Sequence, residues 1–193
     1  GVILHTNLGR AVLGSSIIDD ALPSLIGYSN LEYNLLEGKR GKRGYFVEQM
    51  LSIFTKSESA LIVNNNAAAV FLILKVLSKG REVIISRGEL VQIGGGFRIP
   101  DILRESGAVL REVGTTNHTD INDYKEAIND STGLILKVHQ SNFSLEGFTK
   151  SADINELNIL AKKYKLPLIV DLGSGAFIST EQFSLDYEPT VQR

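Results

Sequence analysis

Four cations crowd the stretch Lys39-Arg40-Gly41-Lys42-Arg43-Gly44. Two are arginines, whose planar forks match the oxygens of a phosphate or carboxylate, and the interleaved glycines let the backbone fold round such a group. With no ligand in play, the same run reads as a solvated charged surface. Arg10, in Leu8-Gly9-Arg10, is a further cation of this kind. A second anion seat lies in Asn64-Asn65-Asn66-Ala67-Ala68-Ala69. Three amides followed by three small residues open a helical pattern, so backbone N–H groups can approach an anion and the helix N-terminus adds positive charge. The plainer reading is that Asn66 caps the helix.

Downstream, Asp171-Leu172-Gly173-Ser174-Gly175 places a carboxylate at the end of an apolar run, ahead of a Gly-Ser-Gly turn. That arrangement suits a buried acid facing a cationic ligand atom, although an Asx turn would use the same residues. His139-Gln140-Ser141-Asn142 follows another apolar run and offers hydrogen-bonding side chains, while a lone histidine in such a place is more often structural. The glycines Gly94-Gly95-Gly96 lack the strand, the helix and the distant acid that a nucleotide loop needs, so they read as a flexible turn.

The elements that must carry these residues alternate. Strand-like runs fall at residues 60–63, Glu82–Ser86, Val109–Val113, 134–138 and Leu168–Asp171. Each is nearly continuous in apolar residues, which is the pattern of strands buried on both faces. Between them, helical patterns occupy residues 67–77, 120–128 and Ile154–Tyr164, the last with Asp153 at the N-cap position and Glu156 three residues on. The expectation is an α/β fold: a mostly parallel sheet with helices on both faces, joined by right-handed crossovers. Loops after the carboxyl ends of such strands are where ligands bind. Residues 1–58 differ, with helical patterns at 16–28 and 47–54 around the basic glycine-rich loop. They are expected to pack on a large domain formed by residues 59–193.

The bulk properties exclude several classes. At 43% hydrophobic and 22% charged, the composition is that of an ordinary globular chain, and a net charge of −2 gives no global field for nucleic acid. The absence of Cys excludes disulfides and thiolate metal sites and permits a cytoplasmic location. The longest apolar stretch, residues 67–74, is far short of the roughly 18 residues of a membrane span. The start at Gly1, without Met or a basic-then-apolar leader, reads as an excised piece.

Ten segments in order resemble one family: residues 4–10, 30–33, 38–44, 63–70, 86–90, 97–100, 114–117, 137–142, 171–175 and 188–191. They include Asn30-Leu31-Glu32-Tyr33, Gly114-Thr115-Thr116-Asn117 and Glu188-Pro189-Thr190-Val191, and the family is the bacterial L-seryl-tRNA(Sec) selenium transferases. The resemblance implies the large domain of a fold-type-I pyridoxal 5'-phosphate enzyme, cytoplasmic and homo-oligomeric, with active sites at a dimer interface. It implies conversion of seryl-tRNA(Sec) to selenocysteinyl-tRNA(Sec) with selenophosphate, through a cofactor-bound aminoacrylyl intermediate. By the same resemblance Asn65, Asn66 and Ala67 seat the cofactor phosphate, His139, Ser141 and Asn142 lie near its ring, and Ser174 also binds the cofactor. Asp171 partners the pyridine nitrogen, and Arg10 and Arg43 face the anionic selenium donor or the tRNA end.

In that family the cofactor's lysine lies in a Ser-Gly-Asp-Lys-Leu motif beyond Glu-Pro-Thr-Val, and this sequence ends at Arg193. The expectation is therefore a fragment that does not turn over alone and leaves sheet edge and interface uncovered. Two other readings stay open: a related lyase or transferase acting on a free amino acid, and a non-catalytic tRNA-binding module. The net charge argues against the second.

Overall fold

Nearly continuous apolar runs along the central strands build this fold. In the computed structural model, which describes residues 6–173 and 175–192, the chain forms two units, Gly1–Ile62 and Val63–Arg193.

The second unit is an α/β layer structure. Strands β3 (Glu82–Ser86), β6 (Val109–Val113), β7 (Thr132–Val138) and β8 (Leu168–Asp171) form one sheet in the order β6-β3-β7-β8, and every pairing is parallel. Val83, Ile85, Leu134, Leu136 and Val138 point to one side, against Val70 and Leu74 of α3 (Asn66–Leu77) and Ile99 and Leu103 of α4 (Ile99–Ser106). Ile84 and Ile135 point to the other, against Tyr124 of α5 (Ile121–Ala127) and Leu157, Leu160 and Ala161 of α6 (Ile154–Tyr164). Successive side chains of a strand face opposite ways, so a strand covered on both sides must be apolar throughout. This is the architecture expected from the sequence.

Local signals set the helix ends. Asp153 caps α6 through the backbone N–H groups of Asn155 and Glu156. Asp120 caps α5, and Asp123 returns the bond to the Asp120 N–H in a full capping box. The cap of α3 is Asn65, whose Oδ1 accepts from Ala68 N at 2.9 Å. The expected cap, Asn66, is instead the first helical residue.

Two further differences from expectation have physical causes. Residues 60–63 form no strand: an apolar run becomes a strand only when another strand takes up its backbone, and no described strand pairs with it. Leu61 and Ile62 stay 62% and 49% exposed. Helix α4 was not anticipated, although Pro100 near its start, Asp101 in its first turn and Gly107 at its C-cap mark it. The three glycines do make a turn, the bend of a hairpin between β4 (Gln92–Ile93) and β5 (Phe97–Arg98).

In the first unit, α1 (Ser15–Ile26) and α2 (Tyr45–Thr55) flank a short hairpin of β1 (Tyr33–Asn34) and β2 (Lys39–Arg40). Neither helix has a buried residue.

Candidate active site at the carboxyl edge of the sheet

From β3 the chain continues to β6 on one side, and from β7 to β8 on the other. The connections therefore diverge between the ends of β3 and β7, and at such a point the loops part to leave a crevice. Ser86, Gly88, Glu89, Gln140 and Ser151 line one cleft there, and Lys137, His139, Phe143 and Ser144 extend a second. A Cβ on Gly88 would stand 2.6 Å from the Thr116 carbonyl oxygen, so the turn after β3 closes on the next loop only with glycine.

Glu89 joins the two strands across this divide. Its carboxylate is 2% exposed, accepts from Val138 N at 2.9 Å and pairs with Lys137 Nζ, which also donates to Ser151 Oγ at 2.6 Å. A buried carboxylate requires such partners. Sequence reasoning assigned Glu89 no role, because nothing local shows that a residue on one strand's turn will meet a lysine about fifty positions on. Beside it, the hydroxyl of fully buried Tyr124 has no hydrogen-bond partner. Burial, and then the Glu89 charge, push that phenol well above its ordinary range.

Asp171 sits at the end of β8, 7% exposed. Asn66 Nδ2 donates to its Oδ1 at 2.9 Å, Gly173 N donates to the same oxygen at 3.2 Å, and its carbonyl accepts from His139 N at 2.9 Å. Freed from capping, Asn66 thus links the start of α3 to the strand-end acid across 105 residues of sequence. Gly173, at φ +67°, comes so close to the next loop that a Cβ there would lie 2.7 Å from Ser141 Cβ and 3.5 Å from His139 Nδ1. His139 Nδ1 is buried without a hydrogen-bond partner, 3.9 Å from a Glu188 carboxylate oxygen.

The structure therefore brings Asn65, Asn66, Ala67, His139, Ser141 and Asp171 to one edge of one sheet. Asn142 is drawn aside, donating to the Gln92 carbonyl at 3.1 Å. Ser174 lies outside the described residues. Arg10 and Arg43 belong to the first unit: Arg10 is exposed, with a left-handed backbone (φ 64°), and Arg43 is paired with Glu32.

The donor set suits a pyridoxal-type ligand. Among the described residues the side-chain oxygen Oδ1 of buried Asp171 is met by neutral N–H donors and by no cation, which leaves its charge for a cationic ring atom. The start of α3 and the glycine turn present backbone N–H groups beside it. Among the described residues no cluster of His, Cys, Asp or Glu is placed to hold a metal, and no helix is long and apolar enough to cross a membrane.

Solved structures share this fold. D-Glucosaminate-6-phosphate ammonia-lyase aligns with a TM-score of 0.65 at 19% identity, over 86% of this chain and 45% of its own. The structure of ntda from Bacillus subtilis with bound cofactor PMP aligns with a TM-score of 0.56 at 23% identity, over 87% and 36%. The fold is that of the fold-type-I pyridoxal-phosphate-dependent transferases. The family model described as SelA, L-seryl-tRNA selenium transferase, matches residues 1–193. L-seryl-tRNA(Sec) selenium transferase of Aquifex aeolicus (strain VF5) is 53% identical over 188 residues, 97% of this chain and 42% of its own length. The chain belongs to the L-seryl-tRNA(Sec) selenium transferase family, and it spans less than half the length of that relative.

Proposed function

We propose that the full-length gene product carrying this sequence converts L-seryl-tRNA(Sec) to L-selenocysteinyl-tRNA(Sec), with pyridoxal 5'-phosphate as cofactor and selenophosphate as selenium donor. The observation that carries the reading is the family match over residues 1–193. The geometry at the sheet edge supports it.

Backbone N–H groups at the start of α3, with Asn65 and Ala67, hold the cofactor phosphate, as helix N-termini hold anions generally. Asp171 keeps a proton on the ring nitrogen, and the Asn66 side chain fixes the carboxylate that does so. His139 and Ser141 border the ring, and Asn142 steadies their loop through the Gln92 carbonyl. When bound, the cofactor supplies an electron sink for charge released at the seryl Cα. The net exchange would replace the seryl hydroxyl by selenium, the hydroxyl oxygen leaving as water and the donor's phosphorus ending, after hydrolysis, as inorganic phosphate. Arg10 and Arg43 face the anionic donor or the tRNA end, where cations balance the charge of a phosphate group. Lys137, the lysine of the sheet cleft, is held by Glu89 and Ser151. The protein works in the cytoplasm as a homo-oligomer with sites at a dimer interface.

The test is a cofactor titration followed by turnover. The full-length protein should take up pyridoxal phosphate to give a visible absorption band that borohydride bleaches, and should then place selenium on seryl-tRNA(Sec). Absence of the band at every cofactor concentration would contradict the cofactor assignment. A band together with turnover of free serine alone would move the protein to an amino-acid lyase.

A further inference from the structure

All four cations of the basic loop already have carboxylate partners: Lys39 with Glu37, Lys42 with Glu48, and both Arg40 and Arg43 with Glu32. The shared carboxylate is the unusual feature. Arg43 approaches Oε1 of Glu32 with both Nε and Nη2, while Arg40 Nη2 donates to Oε2 at 3.1 Å. The hairpin fixes this arrangement. Gly41 N donates to the Glu32 carbonyl at 2.8 Å, and Tyr33 pairs with Arg40 in the β1–β2 register, so the two guanidinium groups converge on one point. The Arg40 and Arg43 side chains remain 82% and 73% exposed, which leaves them reachable from solvent. The geometry is that of a two-arginine oxyanion slot with an occupant supplied by the chain itself.

We propose that Glu32 sets an affinity threshold at this slot: by holding the place that a free carboxylate would take, it weakens every competing anion alike, so that phosphate-class dianions still bind where monocarboxylates no longer do. The inference rests on the reading of Arg43 as an anion-facing residue and adds the threshold. A tethered carboxylate competes at the effective concentration of a short connection, of millimolar order or above. A free monocarboxylate, an amino acid's included, brings the same group and the same charge, so it gains nothing by exchange. A tetrahedral dianion brings a further oxygen and a further charge to the two forks, and it displaces Glu32. Because the pair is exposed, the barrier it sets is modest, on the order of severalfold in affinity. The same arginines hold the Glu32 carboxyl below the ordinary glutamate range, which keeps the competitor ionised at neutral pH.

The experiment is labelling of arginines by a dicarbonyl reagent, resolved by peptide mapping on the full-length protein at pH 8, with inorganic phosphate or acetate as protectant. Phosphate should protect Arg40 and Arg43 in the wild type and acetate should not. In Glu32→Gln the two arginines should label faster, phosphate should protect at severalfold lower concentration, and acetate should now protect as well. Glu32→Asp, which withdraws the carboxylate by one methylene, should lie between and serves if the glutamine variant fails to fold. Glu37→Gln should behave as wild type. Equal protection by acetate and phosphate in the wild type would overturn the proposal. So would an unchanged profile in Glu32→Gln, or arginines refractory to the reagent in every form. Neither cofactor nor tRNA is present, so a failure here leaves the selenium-transfer reading to be decided by its own assay.

Discussion

Between Asn66 and Asp171 runs one hydrogen bond of 2.9 Å, and through it the start of α3 and the end of β8 become a single site. Asn66→Ala removes a neutral donor from a nearly buried acceptor, a loss of about 1–3 kcal/mol. The full-length protein should lose about that much stability in denaturant unfolding. Its affinity for pyridoxal phosphate should fall by roughly tenfold, the equivalent of about 1.4 kcal/mol. Lowered stability with unchanged affinity would show that the bond only braces the fold. Tyr124→Phe is expected to act the other way. Its hydroxyl is buried and makes no well-formed hydrogen bond, with only a weak approach to the Ser86 backbone amide, so unfolding should show a change within about 1 kcal/mol of zero or a gain. Asp171 was legible in the sequence as an acid ending an apolar run, and Asn65 and Asn66 as amides opening a helix. Which of the two amides caps and which reaches Asp171 was not, because that depends on where helix α3 begins relative to β8. Glu89 was illegible for a similar reason, since its partners Lys137 and Val138 are distant in sequence.

At the scale of elements, the helix caps carry a pH dependence. Backbone N–H donation from Asn155, then from Glu156, holds the Asp153 carboxyl below the ordinary aspartate range. A folded-state pKa below the unfolded one contributes stability that is complete above the unfolded value and is lost as pH falls through the folded one. Asp153→Asn keeps a capping oxygen that cannot titrate. The wild type's advantage over this variant should be largest near neutral pH and should shrink below about pH 4 in acid unfolding curves. A constant difference across that range would contradict the cap assignment. In the sheet, Leu136 is fully buried against the cluster that holds α3 and α4, and Leu136→Ala should cost about 2–5 kcal/mol by denaturant unfolding. Strands β3, β7 and β8 could be read from sequence because their covered faces leave a nearly continuous apolar run, whereas β6, at the sheet edge, carries the exposed Arg111 and Glu112 and is marked by its valines and leucine alone. Residues 60–63 carry the same kind of run without becoming a strand, since a run reports burial tendency and pairing needs a neighbour. Helix α4 escaped notice because eight residues give too little periodicity, although its end signals were present.

At the scale of the whole molecule, the proposed cofactor site at the sheet edge and the proposed anion slot of the basic hairpin lie each within its own unit. The family match covers both units. Composition and the alternation of strands and helices reached the fold class, whereas the family was legible only through the ordered segments shared with it. The most direct measurement supplies full-length protein, loaded with pyridoxal phosphate, with seryl-tRNA(Sec) and radiolabelled selenophosphate, and follows label into the aminoacyl group of the tRNA. The account predicts label that depends on the cofactor and is lost in Asp171→Ala at unchanged fold by circular dichroism. Label-free tRNA from the wild-type protein, or full incorporation by Asp171→Ala, would contradict it.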